Sequence, residues 1–210
     1  MLNNKTIAVV VPAYNEETQI GMVIETMPDF VDRIVVVNDC SKDNTADAVK
    51  KYWSSPLQDG IALNNILSKE IPGYFNRAER ALQKQSISEL NLFAPSVIEN
   101  ASPDIDRIIL ITLTKNCGVG AAIARGYKWC KDYGIDCTAV MAGDGQMDPA
   151  ELESICKPVI EEGIDYVKGN RLIHRSALLV IPKMRFLGNS ILSILTKLAS
   201  GYWHCLLLHI

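Results

Sequence analysis

The sequence predicts an α/β fold with a mainly parallel sheet flanked by helices. Short apolar runs alternate along the chain with helical patterns, and a polar cluster follows four of these runs. The runs are rich in β-branched residues, which is typical of strands that are buried on both faces. Hydrophobic residues make up 48% and charged residues 21% of the 210 residues, so a disordered or low-complexity chain is excluded. The net charge of −3 argues against a general nucleic-acid-binding protein.

Two strand–helix units open the chain. Ile7–Val11 and Arg33–Val37 are predicted as buried strands, since β-branched residues dominate both. Each is followed by apolar residues at helical spacing. These patterns predict one helix that ends before Pro28 and another that ends near Trp53.

Residues 54–106 interrupt the alternation and are predicted to form a helical insertion. They are polar, with helical patterns over 61–67 and 77–92 that prolines separate.

Strands and helices alternate again after the insertion. A proline in the first turn after an aspartate is a typical helix start, which places one helix at Asp148 and Pro149. The predicted elements are, in order, the strand Arg107–Thr112, the helix Ala121–Lys131, the strand Cys137–Ala142, the helix from Asp148 and the short strand Asp165–Lys168.

The charge is unevenly distributed along the chain. Residues 1–165 carry 15 basic and 24 acidic side chains, and residues 166–210 carry six basic and no acidic ones. We therefore divide the chain into a domain over residues 1–180 and a basic, apolar segment over residues 181–210. This segment predicts contact with a phosphate-rich partner or a membrane surface; alternatively, it folds over acidic parts of the same domain. Lys197 interrupts its apolar stretch, which indicates an interfacial or core helix.

The cysteines and the first residues of the chain indicate in which cellular compartment the protein is found. Six cysteines form no CxxC pair and no zinc-ligand spacing, which predicts reduced thiols in the cytoplasm. The first residues do not have the pattern of a secretory signal. We expect a cytoplasmic protein associated with the cytoplasmic face of a membrane.

Four polar clusters follow predicted strands, over residues 13–17, 38–43, 115–120 and 143–148. Ligands of parallel sheets bind beyond the carboxyl ends of the strands. The clusters are therefore expected to converge on one site, and this convergence is the main functional signal in the sequence.

The last cluster places Asp144 between two glycines. Its carboxylate suits one coordination position of Mg²⁺ or Mn²⁺, with phosphate oxygens and waters supplying the others. The alternative for this cluster is a simple turn, and Asp148 is better explained as a helix N-cap.

The other clusters contain groups suited to a nucleoside. Asp39 can accept hydrogen bonds from a base, or it can belong to a capping turn. Tyr14 suits stacking on a base and Glu16 suits a ribose hydroxyl, whereas Glu17 is better explained by the first turn of a helix. The turn from Lys115 resembles the start of a dinucleotide fingerprint but lacks its third glycine and does not follow the first strand, which excludes that site. Its amides can still face a ligand at a helix start.

Five short motifs stand in order along the chain: VVVPAYNEE (9–17), VVVNDCSKDNTAD (35–47), KNCGVGAAIARGY (115–127), VMAGDGQMDP (140–149) and VKGNR (167–171). As an ordered set they resemble glycosyltransferase family 2, most closely its dolichyl- or polyprenyl-phosphate sugar transferase branch. The resemblance covers residues 6–53 and 107–200, so the insertion is unmatched.

The resemblance implies a fold of the glycosyltransferase A type and an inverting transfer of a hexose. The donor would be a GDP- or UDP-sugar, the cofactor Mg²⁺ or Mn²⁺, and the acceptor a polyprenyl (dolichyl) phosphate, in a step of glycan biosynthesis. Asp144 and Gln146 would hold the metal, and Asp144 and Arg171 would be catalytic. Arg175 and Arg185 of the basic tail are candidates for the acceptor phosphate. Donor-binding positions would be Pro12, Ala13, Tyr14, Glu16, Asp39, Lys115, Ala142, Gly143 and Gln146.

Several alternatives stay open at this point. Ala142 stands where the family has the first aspartate of its Asp-x-Asp motif, and the chain ends soon after the segment over residues 184–203. Both features favour a truncated homologue that binds a donor without transferring it. A saccharide acceptor and a homo-oligomer also stay open. A nucleotidyltransferase is disfavoured, because residues 12–17 do not form a basic, glycine-rich loop.

Overall fold

The chain divides into two compact units, Met1–Gly163 and Ile164–Ile210. The sheet and its helices belong to the first unit. The predicted boundary at residue 180 stays a prediction. The computed structural model describes residues 1–53, 63, 65, 67, 76–169, 188, 191, 192, 194, 195 and 198.

Five strands form one mixed sheet in the first unit. The strands are β1 (Ile7–Ala13), β2 (Arg33–Asn38), β3 (Ser96–Ile98), β4 (Ile108–Leu113) and β5 (Cys137–Val140). Their order across the sheet is β3-β4-β2-β1-β5. All neighbours are parallel except β3, which pairs antiparallel with β4 at one edge. The structure is thus the predicted α/β fold with a mainly parallel sheet.

The helices follow the strands as the apolar spacing predicts. A short 3-10 turn follows the third helix, and another precedes the fifth. The helices are α1 (Ile20–Glu25), α2 (Thr45–Lys50), α3 (Arg77–Glu89), α4 (Val119–Asp132) and α5 (Leu152–Glu161).

Both faces of the central strands are covered, which explains why their sequences are continuous apolar runs. Successive residues of β1, such as Val9 and Val10, point to opposite faces of the sheet and are fully buried. Helices α1 and α2 pack on one face, and α4 packs on the other. At Gly126 of α4, a β-carbon would lie 2.4 Å from a methyl group of Val10, so only glycine allows this close approach.

The sheet differs from the prediction in two places. The strand β3 was not predicted, because three residues at an antiparallel edge carry too little pattern. Residues 165–168, predicted as a strand, form none. Tyr166 there is 70% exposed, so the short apolar pair at 166 and 167 does not belong to a buried strand.

Ser86 of the insertion hydrogen-bonds to a buried ion pair of the sheet domain. The helix α3 occupies most of the predicted helical pattern over 77–92, whereas the pattern over 61–67 lies largely outside the described residues. Lys128 of α4 donates hydrogen bonds to Asp132 one turn later and, at 2.6 Å, to the hydroxyl of Ser86 on α3. Ser86 in turn donates to Asp132 at 2.6 Å. The side chains of Lys128 and Asp132 are only 1% and 3% exposed, so both charges depend on these contacts.

We predict that Asp132→Ala lowers the free energy of unfolding by about 3–5 kcal/mol, because the buried Lys128 ammonium loses its closest counterion and keeps only Glu89, at 3.9 Å. The matched control is Glu153→Ala, which breaks the exposed pair of Glu153 with Lys157 at the same helical spacing. That change is expected to cost less than about 1 kcal/mol. Urea unfolding measures the free energy of unfolding of each variant. Equal decreases in the two variants would contradict a stabilising role of the buried pair of Lys128 and Asp132.

Candidate functional site

The loops that follow β1, β2, β4 and β5 meet at one edge of the sheet. We call them loop 1 (residues 13–17), loop 2 (38–45), loop 3 (114–118) and loop 4 (141–147). In the parallel register Ala13 lies opposite Asn38, and Asn38 lies opposite Thr112. Three of the loops therefore leave the sheet side by side, and loop 4 follows β5 on the other side of β1.

Loop 1 and loop 2 are joined through Asn15. The backbone amide of Asn15 donates to the Ser41 hydroxyl at 3.0 Å, and its side-chain oxygen accepts from the Lys42 amide at 2.9 Å. The next amide, of Glu16, donates to the Thr45 hydroxyl at 2.9 Å. Loop 1 is thus held along its length against loop 2.

Glu17 contributes a second set of contacts between the same loops. Its carboxylate accepts from the backbone amide of Asn44 at 3.2 Å and from the Asn44 side chain at 3.0 Å. Its own amide donates to Asp43 at 3.1 Å. Burial raises the pKa of Asp43, but hydrogen bonds from the Thr45 hydroxyl and the Glu17 amide outweigh it and hold this pKa below its ordinary value. The helical-turn explanation of Glu17 is wrong, because α1 begins only at Ile20.

Asp39 joins loop 2 to loop 3. It is 3% exposed, and its two carboxylate oxygens accept from the backbone amides of Cys117 and Gly118, each at 2.7 Å. Gly118 is the N-cap of α4 and has a φ of 85°, a conformation that favours glycine. Each carboxylate oxygen has capacity for one more hydrogen bond. Contact of Asp39 with a base therefore stays a prediction.

Loop 4 packs directly on loop 1. Gly143 is buried, its amide donates to the carbonyl of Pro12 at 3.3 Å, and a β-carbon there would lie 3.1 Å from that oxygen. The next residue, Asp144, accepts from the amide of Gln146 at 3.0 Å. The structure thus places Pro12, Ala13 and Gly143 in contact, with Asp144 next to them in loop 4.

Of the other predicted site residues, three are exposed on the described loops and three lie outside the described residues. Tyr14 is 40% exposed, and Lys115 and Gln146 are also exposed at the rim of the loops. Arg171, Arg175 and Arg185 lie outside the described residues.

A pocket of about 270 Å³ opens between α1 and loop 4. Its walls are mainly apolar and include the side chains of Met22, Met141 and Met147. Gln146 and Asp148 also line this pocket, but none of its lining residues is basic, so it offers no positive charge to a phosphate.

The acidic side chains fit a cation that also binds phosphate. In the described part of the chain, no group of three or more His, Cys, Asp or Glu side chains could hold a metal ion by itself. Mg²⁺ in nucleotide sites uses one or two carboxylates and takes its other ligands from phosphates and waters. Asp144 fits that role, whereas Ala142 provides no side-chain ligand.

Glu16 in loop 1 and Asp144 in loop 4 carry like charges that repel one another. Burial raises the pKa of Glu16 above its ordinary value, and the charges of Asp144 and then Asp43 raise it further. A raised pKa means that the folded state binds the proton more tightly than the unfolded state does. This contribution to stability is full below the unfolded pKa and is lost as the pH rises through the folded pKa.

Sequence reasoning missed the residues that hold the loops together. Asn15, Ser41 and Thr45 bind the partner loop, although they were not predicted as site residues. Their residue types are those that bond to backbone in turns, which was the available signal. The pairing itself depends on the register of β1 and β2.

Comparison with known proteins shows the family of this chain. The family model described as glycosyl transferase family 2 matches residues 8–62 and 94–207. The chain belongs to glycosyl transferase family 2. The matched ranges contain all four loops of this family 2 domain, and they leave out α3.

Two curated relatives cover almost the whole chain. A UDP-N-acetylglucosamine–dolichyl-phosphate N-acetylglucosaminyltransferase of Methanococcus voltae is 27% identical over 201 residues, which are 95% of this chain and 65% of that protein. An uncharacterised protein of Methanocaldococcus jannaschii is 26% identical over 203 residues, or 96% of this chain and 61% of that protein. The chain therefore spans less than two thirds of either relative.

We predict that Asp144→Asn lowers the pKa of Glu16 towards its ordinary value, because it removes the neighbouring negative charge. Burial remains, so the pKa of Glu16 stays above that value. Carbon-13 NMR titration of the glutamate carboxyls measures the change. Asp148→Asn is the control, since Asp148 caps the helix start instead. A Glu16 pKa that is the same in wild type and Asp144→Asn would contradict the proximity of the two carboxylates.

Proposed function

We propose that this family 2 protein is an inverting glycosyltransferase that moves a sugar from a nucleotide-diphospho-sugar to a polyprenyl phosphate. The observation that carries the proposal is the convergence of loops 1 to 4, with their acidic and aromatic groups, at one edge of the sheet. The name of the M. voltae relative supports UDP-N-acetylglucosamine as the first donor to test and dolichyl phosphate as the acceptor.

The nucleoside would lie against loops 1 and 2. The exposed ring of Tyr14 is available for stacking on a base, and Glu16 is available to a ribose hydroxyl. Asp39 retains acceptor capacity for a base N–H. Gly143 lies in backbone contact with Pro12, so its lack of a side chain lets loop 4 approach the end of β1 closely.

The diphosphate would lie near loop 4 and the start of α4. Asp144, with the side-chain oxygen of Gln146, would hold Mg²⁺ or Mn²⁺, which when bound offsets the negative charge of the diphosphate. Lys115 at the rim and Arg171 further along the chain would add positive charge beside the leaving group. These assignments follow the residue types and the family motifs.

The transfer needs little acid–base chemistry from the protein. An oxygen of the acceptor phosphate attacks the anomeric carbon, and the bond from that carbon to the nucleoside diphosphate breaks, with inversion. A phosphate monoester is already ionised near neutral pH, so no strong general base is required. The task of the protein is to align the two substrates and to stabilise the leaving group.

The acceptor is proposed to reach the site from a membrane surface. Residues 166–210 are basic, and Arg175 and Arg185 are the proposed contacts of the acceptor phosphate. The helical residues Ile191, Leu192, Ile194, Leu195 and Leu198 are each at least half exposed, which supports an interfacial helix. Within the described ranges, no helix has the length and apolar character that a membrane span requires.

A donor-binding protein without transferase activity is the second candidate. Ala142 in loop 4, which provides no side-chain ligand for a metal ion, favours it. A saccharide acceptor has less support, because residues 166–210 contain no carboxylate that could act as a base.

We predict that the protein transfers N-acetylglucosamine from its radiolabelled UDP conjugate to dolichyl phosphate in detergent micelles with Mg²⁺ or Mn²⁺. Asp144→Asn should lower kcat/KM by about 100-fold or more, because a group that stabilises the leaving group is lost. Asp148→Asn, which keeps a capping side chain, should stay within about twofold. GDP-mannose and a saccharide acceptor serve as the competing donor and acceptor.

Three results would count against this function. If Asp144→Asn transfers the sugar as fast as wild type, Asp144 in loop 4 does not take part in the transfer. If the sugar is transferred only to the saccharide, the acceptor is a saccharide and not polyprenyl phosphate. Tight UDP binding without any transfer would favour the inactive homologue.

A further inference from the structure

The conformation of Asn15 is unusual for a residue that is not glycine. Its φ is 57°, in the left-handed region, where asparagine is tolerated better than most side chains. Four non-glycine residues of the described chain have positive φ. Of these, Asn15 and Cys40 lie in the site loops, and Asn3 and Asn4 lie near the N-terminus.

Both the backbone and the side chain of Asn15 bind loop 2. The amide donates to Ser41 and the side-chain oxygen accepts from Lys42, so one residue bonds to two successive residues of the partner loop. Ser41 and Lys42 follow Asp39 closely in the chain. Asn15 itself stands between Tyr14 and Glu16. The contact therefore joins the two chain segments that contain the proposed nucleoside contacts.

Stability alone does not account for this arrangement. Asn15 is exposed and buries no apolar side chain, so its hydrogen bonds compete with water and contribute little to the folded state. These hydrogen bonds matter more for the relative position of the two loops than for stability. Together with the other bonds between the loops, they fix the separation of Tyr14 and Glu16 on one loop from Asp39 on the other. A ligand that contacts both loops depends on that separation.

We propose that Asn15 is a positioning residue for nucleoside diphosphate binding, which acts by holding loop 1 against loop 2. This inference rests on the proposed function, because it assumes that the nucleoside lies between these loops. Asn15 itself contacts the partner loop through its amide and its side-chain oxygen. Its effect on the donor passes through Tyr14, Glu16 and Asp39.

The test uses Asn15→Gly, which keeps the left-handed backbone accessible and removes only the side-chain acceptor. Isothermal titration with UDP should give a Kd that is about 3- to 10-fold higher than in wild type, as expected for one lost hydrogen bond. The KM for the UDP-sugar should rise by a similar factor, and kcat should stay within about twofold. Hydrogen exchange of the Lys42 amide should become faster, because its acceptor is gone.

Asn3→Gly is the matched control. Asn3 also has a left-handed φ, of 50°, and its side chain also makes a hydrogen bond, to Glu161 at 3.0 Å. This variant should keep the wild-type Kd for UDP. Ser41→Ala removes the other contact of Asn15, and its effect on Kd should be non-additive with that of Asn15→Gly.

The outcomes separate the inference from the function on which it rests. A wild-type protein that binds no UDP or other nucleoside diphosphate overturns both. Binding by wild type with an equal Kd in Asn15→Gly overturns the positioning role alone. A lower kcat at unchanged KM, or a loss of thermal stability without a change in Kd, also overturns it.

Discussion

The parallel pairing of β1 with β2 is the constraint on which the rest of the site depends. It places Ala13 opposite Asn38, so the chain leaves both strands at the same edge and at the same height. Short side chains such as Asn15 and Ser41 can then bridge the two loops. A shift of one residue in this register would turn each strand residue to the other face and separate these partners.

The burial of Asp39 extends the same constraint to α4. A carboxylate that is 3% exposed is costly unless hydrogen bonds satisfy it, and the amides of Cys117 and Gly118 do so. These amides belong to the start of α4, which packs through Gly126 on β1. Strand, loop and helix are therefore mutually positioned by a polar contact at one end and close packing at the other.

The central strands and the approximate site could be predicted from the sequence, whereas the contacts within the site could not. Strands buried on both faces are continuous apolar runs, and the polar clusters that follow them mark one edge. The edge strand β3 has too few residues for such a pattern. The apolar pair at 166 and 167 led to the prediction of a strand that the structure does not contain there. The bonds of Asn15 and Glu17 depend on backbone conformation and register, which residue types alone do not specify.

The most direct test is to map the nucleotide site residue by residue. Backbone amide resonances of nitrogen-15-labelled protein would be followed by NMR during titration with UDP-N-acetylglucosamine and Mg²⁺. Saturable shifts at Cys117, Gly118 and residues of loops 1, 2 and 4, with none along the exposed face of α5, are predicted. Saturable shifts confined to other surfaces, or no shifts with any nucleoside diphosphate, would contradict the assignment of this edge as the donor site.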